Sequence, residues 1–182
     1  LATNYWVDVT DFAQVRAAFY ATRHVVAILT VDNYEELMKG ANDSAKSAMR
    51  SGIDDRLSQW VAPAQGLFCR YERDRYLFVF EERFLAQFQE GKFSILETVR
   101  EVASPSGIQA TLSIGIGKDA ESLGELFQYA ALSVEMALSR GGDQAVVKNR
   151  FNFEFFGGRG NEVETRTKVK SRVMANALAE LI

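Results

Sequence analysis

Phe68-Cys69-Arg70-Tyr71-Glu72-Arg73-Asp74-Arg75-Tyr76-Leu77-Phe78-Val79-Phe80 reads as two apolar strands joined by a short charged turn. The arms are rich in aromatic and β-branched residues, and the charges gather where the chain must reverse. The spacing predicts strands over 66–71 and 75–80. Such a hairpin holds two or three side chains rigidly at a sheet edge.

Working outward, residues 25–31 (Val-Val-Ala-Ile-Leu-Thr-Val) form a continuous apolar run. Such a run suits a central strand buried on both faces. Asp32-Asn33-Tyr34 then opens a short helix. Asp43 or Ser44 can cap a longer one to about Trp60, with Ala45, Ala48, Met49, Gly52, Ile53 and Leu57 inward. Phe84, Leu85 and Phe88, then Phe93, Leu96 and Val99, predict two more helices. Thr111 to Gly117 reads as a strand whose two glycines permit close backbone approach. Ser122-Leu123-Gly124-Glu125 is a capping box. The helix behind it places Leu123, Leu126, Phe127, Ala130, Ala131, Val134, Ala137 and Leu138 on one face. Gly141-Gly142 ends that helix, with Arg140 favourable at its negative end. Gln144 to Lys148 reads as the last strand.

At the N-terminus, 5–9 reads as a strand and the following stretch, to about Thr22, as a helix, with His24 at a helix end. Alternating strands and helices around one hairpin give an α/β (α+β) sandwich. Its central sheet is mixed and largely antiparallel, flanked by helices, over about 23–149. The flanks, 1–22 and 150–182, belong to something else. Residues 151–156 alternate like an edge strand or an apolar arm, and 162–182 like an amphipathic helix. The chain starts at Leu1 and stops at Ile182 in a helical pattern, so both ends read as cut from something longer.

Composition narrows the function. The 182 residues suffice for one compact domain plus an arm. A net charge of −3 argues against a nucleic-acid binder. No apolar run can span a bilayer, so no membrane insertion by this chain is expected. The single His24 rules out a multi-histidine metal centre, and the single Cys69 an internal disulfide. Cys69 reads as a small buried side chain.

The hairpin resembles the signature hairpin of diguanylate cyclase (GGDEF) domains, in which Arg-Tyr precedes Gly-Gly-Asp-Glu-Phe. The five signature positions here are Glu72, Arg73, Asp74, Arg75 and Tyr76. Val31-Asp32-Asn33-Tyr34, Thr111-Leu112-Ser113-Ile114-Gly115-Ile116 and Ala130 through Gly141 follow in the family's order. The finer match, through residues 31–36, Arg140-Gly141-Gly142-Asp143-Gln144 and 153–158, resembles the degenerate GGDEF domain of GdpP-type cyclic-di-AMP phosphodiesterases. The resemblance implies a membrane-anchored bacterial parent, with this domain at the cytoplasmic side of the plasma membrane. It also implies a preceding PAS domain, whose end and connecting helix residues 1–22 resemble, and a following DHH–DHHA1 phosphodiesterase module. A homodimer is expected.

By the same resemblance, the cyclase chemistry is lost. Glycines that would admit phosphates are Glu72 and Arg73. The catalytic acid is Arg75, which repels magnesium. The first metal carboxylate falls at Thr30, the guanine-contacting asparagine at Met38, the phosphate-contacting lysine at Leu138. The inhibitory Arg-x-x-Asp would start near Pro63 and is absent. What remains is a weak nucleotide pocket of Asp32, Asn33, Tyr34, Glu72, Arg73, Asp74 and Arg75. Asp32 would hold one Mg²⁺ brought by ATP, and Arg73 or Arg75 would meet phosphate. No cofactor is needed for folding. The competing reading is a solvated turn whose charges satisfy each other. Three functions stay open: a regulatory domain, a weak magnesium-dependent ATPase, and a structural dimerisation spacer.

Overall fold

The structure, a computed structural model, describes residues 10–157. Its centre is β1 (His24–Val31), in which every residue after His24 is buried. Alternate side chains of β1 enter two cores. Val25, Ala27, Leu29 and Val31 face the larger one, Val26 and Ile28 the smaller. The strand is therefore apolar throughout because both faces are covered.

On one side β1 pairs antiparallel with β3 (Arg75–Glu81), and β3 pairs with β2 (Leu67–Arg70). On the other, β1 pairs antiparallel with β4 (Leu112–Gly117), which runs parallel to β5 (Gln144–Lys148). Antiparallel β6 (Phe153–Gly157) closes that edge. The order is β2-β3-β1-β4-β5-β6, a mixed sheet with one parallel pair.

The larger core lies under α2 (Tyr34–Met38), α3 (Asp43–Val61), α4 (Leu85–Glu90) and α5 (Ile95–Arg100). Among the described residues, the other face carries only α6 (Leu123–Ser139). Gly115 and Gly117 explain how α6 lies so close to β4. A Cβ on Gly115 would stand 2.2 Å from the Ala130 carbonyl oxygen, and one on Gly117 2.1 Å from that of Leu126. The repeat Gly-Ile-Gly thus sets the helix-to-sheet distance. The Ser122 hydroxyl accepts from the Glu125 N–H at 3.1 Å, as expected of the cap, while the Glu125 carboxylate accepts from the Glu121 N–H at 2.9 Å, one residue before the position a capping box uses.

Several expectations need correcting. His24 begins β1 rather than ending a helix; α1 (Thr10–Ala21) stops before it. Asn42, not Asp43 or Ser44, caps α3 by accepting the Ala45 N–H at 2.8 Å. Cys69 is exposed, because β2 is an edge strand beyond the reach of α6. Leu123, Phe127 and Leu138 are exposed although they share the apolar stripe of α6. The stripe is wider than the narrow ridge that meets the sheet. Gln144–Lys148 is not the last strand, since β6 follows and pairs along it. The expected strand at 5–9 and helix at 162–182 lie outside the described residues.

Candidate functional site

The candidate residues come from two places, the C-terminal end of β1 and the β2–β3 turn. The sheet register brings them together: the Val31 N–H donates to the Asp74 carbonyl at 2.8 Å. Thr30 faces Arg75 on one neighbouring strand and Ser113 on the other.

The turn is built without glycine. The N–H groups of Tyr71 and Glu72 both donate to the Arg75 carbonyl, at 3.1 and 3.3 Å. None of residues 71–75 has a positive φ, so no left-handed residue is needed. Side chains therefore project where a glycine turn would leave open space. Arg73 forms a 2.9 Å ion pair with Glu35 of α2, both well exposed. Arg75 Nε lies 3.5 Å from a Glu72 carboxylate oxygen. Exposed pairs of this kind contribute little stability.

The fifth turn position is fastened from below. The Tyr76 hydroxyl donates to Asp54 of α3 at 2.7 Å, and Arg70 pairs with the same carboxylate. The Arg70 guanidinium also lies 5.2 Å from the Tyr76 ring centre. Burial first, and the Asp54 contact second, push the Tyr76 phenol upward, so it stays a donor. The hairpin is thus clamped to α3, the longest of the described helices.

Asp32 is turned into the protein. Its Oδ2 accepts the Asp143 N–H at 2.9 Å, while its Oδ1 is buried with no hydrogen-bond partner. Thr30 Oγ1 and Arg75 Nε are also buried without one. Burial pushes the Asp32 carboxyl above its ordinary range, and the Asp143 N–H only partly opposes that. Asp143 is itself gripped by Arg100 of α5, through contacts of 2.7 and 3.0 Å to one carboxylate oxygen. The Gly141-Gly142-Asp143 link takes positive φ at all three residues, 102°, 72° and 57°. Gln144 closes the end of α6 by donating to the Ala137 carbonyl at 3.1 Å. The segment 140–144 therefore ties β1, α5 and α6 together.

Asn33 is likewise committed. It donates to the Gln109 carbonyl at 2.8 Å and accepts the Thr111 N–H at 3.0 Å. Tyr34 is buried, and its hydroxyl accepts from Arg50 Nε at 3.0 Å.

A surface groove runs from the turn over α2 toward α3. Near the turn it is lined by Val31, Asp32, Asn33, Tyr34, Arg73 and Asp74. Farther on, Lys39, Lys46 and Arg50 join it, with Tyr34 and Arg73 shared. Of the expected residues, five meet in this groove; Glu72 and Arg75 do not line it. Lys39, Lys46 and Arg50 were not anticipated from the sequence. Lys46 and Arg50 stand four apart on α3, one turn from its cap, which is the available signal. Lys39 and Lys46 hold no ion pair among the described residues. Glu35 and Glu36 also line the groove, Glu35 paired with Arg73, but Lys39, Lys46, Arg50 and Arg73 outnumber these two acids, so the α3 end is net basic.

The residues fit a magnesium ion poorly. Asp32 offers one oxygen, Thr30 a neutral hydroxyl, and Arg75 stands cross-strand from Thr30. Among the described residues no three His, Cys, Asp or Glu converge on one point. A hard divalent ion needs more carboxylate oxygen than this.

Comparison with known proteins places these features. The family model for the GGDEF domain of "Cyclic-di-AMP phosphodiesterase GdpP-like" proteins matches residues 29–155. A cyclic-di-AMP phosphodiesterase GdpP from Geobacillus thermodenitrificans is 43% identical over 98% of this chain. Its counterpart from Bacillus subtilis is 38% identical over 98%. The chain spans 27% of the length of either relative. The GGDEF domain of DgcB from Caulobacter crescentus, solved with c-di-GMP, superposes with a TM-score of 0.59 at 16% identity. That match covers 75% of this chain and 82% of the other, and at such identity it speaks for the fold alone. No described helix is long and apolar enough to cross a membrane.

Proposed function

The chain belongs to the GGDEF-domain family of GdpP-like cyclic-di-AMP phosphodiesterases, and on that premise we propose that it is a regulatory domain that holds a nucleotide without converting it. The observation that carries this reading is the split between the two ends of the groove. At the turn, the groups where cyclase chemistry is expected are engaged in holding the fold. Asp32 anchors the 142–143 link, Asn33 the 109–111 segment, and Tyr76 the α3 clamp. At the α3 end, Lys39, Lys46, Arg50 and Arg73 line the groove together with Tyr34, whose hydroxyl accepts from Arg50.

A nucleotide suits this arrangement. Its phosphates would meet the cations, where each charge-assisted hydrogen bond adds affinity. Magnesium enters only as the ion the nucleotide carries. The position of the cyclase's catalytic acid holds Arg75, a cation, and the unpartnered Asp32 oxygen is buried, so neither of these can take a proton from a ribose hydroxyl. The domain then serves a larger protein. In our reading that protein is a membrane-anchored cyclic-di-AMP phosphodiesterase, with this domain on the cytoplasmic side between PAS and DHH–DHHA1 modules.

Calorimetric titration with ATP and with GTP, each with magnesium, tests the reading. Weak binding that falls about tenfold or more in Lys46→Glu supports it, as expected for loss of one charged phosphate contact. Phosphate release alongside binding would make the domain a slow ATPase. No heat with either nucleotide at millimolar concentration would leave a structural spacer.

A further inference from the structure

The α3 end of the groove is furnished for phosphate and bare of groups that read a base. Lys39 and Lys46 hold no ion pair or hydrogen bond among the described residues. Arg50 is exposed, and its Nε donates to the buried Tyr34 hydroxyl at 3.0 Å. That contact holds the guanidinium while both terminal nitrogens stay without a partner among the described residues. A planar fork presented this way can meet two oxygens of one phosphate. Tyr34 fixes it in advance, so less side-chain freedom is lost on binding. Lys46 stands one turn before Arg50 on α3, which places a second cation beside the first. The chain as a whole carries a net charge of −3. An anion is therefore drawn by these local cations and not by the molecule at large.

Bases are recognised by a ring to stack on or by donors and acceptors at their edges. Tyr34, the aromatic residue of the lining, is only 8% exposed, so its ring offers no stacking face. Met38 is buried and ends in a thioether, a weak acceptor. Glu35 is taken by Arg73 at 2.9 Å. Toward the turn, the Asn33 amide is committed to Gln109 and Thr111. Glu36, and Asp74 nearer the turn, remain as acceptors. A carboxylate accepts alike from the amino group of adenine, that of guanine, or a ribose hydroxyl, so it does not tell them apart.

Building on the nucleotide reading of this groove, we propose that its ligand is a condensed phosphate chain, inorganic or carried by a nucleoside. Lys39, Lys46, Arg50 and Arg73 recognise the phosphates, and the base is not read.

Calorimetric titration of the 182-residue chain with sodium tripolyphosphate, ATP, GTP and adenosine, all without divalent ions, tests it. Tripolyphosphate should bind at least as tightly as ATP. ATP and GTP should agree within about twofold, and adenosine should give no heat. Arg50→Ala should weaken all three anions in parallel by about tenfold, as for loss of one charge-assisted contact. Arg83→Ala, outside the groove, should weaken none. Both side chains are exposed, so the fold tolerates the changes. ATP binding about tenfold more tightly than tripolyphosphate, or than GTP, would overturn the proposal and leave the nucleotide reading standing. Heat with adenosine would do the same. An equal loss in Arg83→Ala would also overturn it, since the attraction would then belong to the surface at large. No binding of any of the three anions would remove the proposal and the nucleotide reading together.

Discussion

Replacing Gly142 by alanine tests whether Asp32 is a fixed part of the fold rather than an open ligand. Gly142 has φ +72°, and a Cβ there would lie 2.7 Å from Asp32 Oδ2 and 3.1 Å from its Cγ. Two costs arise. A left-handed alanine costs about 1–2 kcal/mol. The carboxylate must also turn away from the new methyl. That forfeits the 2.9 Å hydrogen bond from the Asp143 N–H, a contribution of about 1–1.5 kcal/mol. Gly142→Ala should therefore destabilise by about 3 kcal/mol, read from urea unfolding with an unchanged slope. The double variant with Asp32→Ala isolates the second cost. With no carboxylate to displace, Gly142→Ala should cost only about 1–2 kcal/mol, a coupling of about 1–1.5 kcal/mol between the two sites. If the single costs simply add to within about 0.5 kcal/mol, the carboxylate is not where the structure puts it, and the structural role assigned to Asp32 is wrong.

Asp32→Asn should reveal the buried charge through pH. The folded carboxyl holds its proton more tightly than the unfolded one, whose ordinary value is 3.8. Wild-type stability is therefore lost as pH rises through the raised value, and the contribution is fully present below 3.8. Asparagine does not ionise, so the melting temperature of the variant minus that of wild type should grow between pH 4 and 7; a flat difference would refute the buried carboxylate. Tyr76→Phe keeps the ring but frees the half-exposed Asp54 carboxylate, and should cost about 1 kcal/mol in chemical denaturation. A neutral result would mean that the clamp to α3 adds nothing. Incubation with GTP and magnesium should yield no cyclic-di-GMP by chromatography, and a dinucleotide product abolished by Asp74→Ala would overturn the reading of the hairpin.

The parts of the fold legible in the sequence are those where local pattern and tertiary role agree. The apolar run of β1 could only be a doubly covered strand. The Ser122 cap and the glycines of β4 each carry one meaning, and both act as read. The misreadings occur where a residue's role depends on what covers it. Cys69 sits in an apolar strand, yet that strand is at the edge beyond α6. Phe151 to Phe156 left two possibilities open, and pairing along β5 decides for a strand. The site was legible only in half. Aligning the hairpin with the family signature points to the turn, but not to the fact that Asp32 and Asn33 look inward. Their partners, Asp143, Gln109 and Thr111, are 76 to 111 residues away. The basic end of the groove is equally long-range, since Lys46 and Arg50 reach it only once α3 packs against α2.

The most direct test of a groove that holds a nucleotide without converting it is a crystal structure with ATP and magnesium. The predicted result is triphosphate density among Lys39, Lys46, Arg50 and Arg73, with Asp32 still accepting from the Asp143 N–H. A triphosphate seated in the 72–75 turn, with metal ions bound between Asp32 and Asp74, would contradict it.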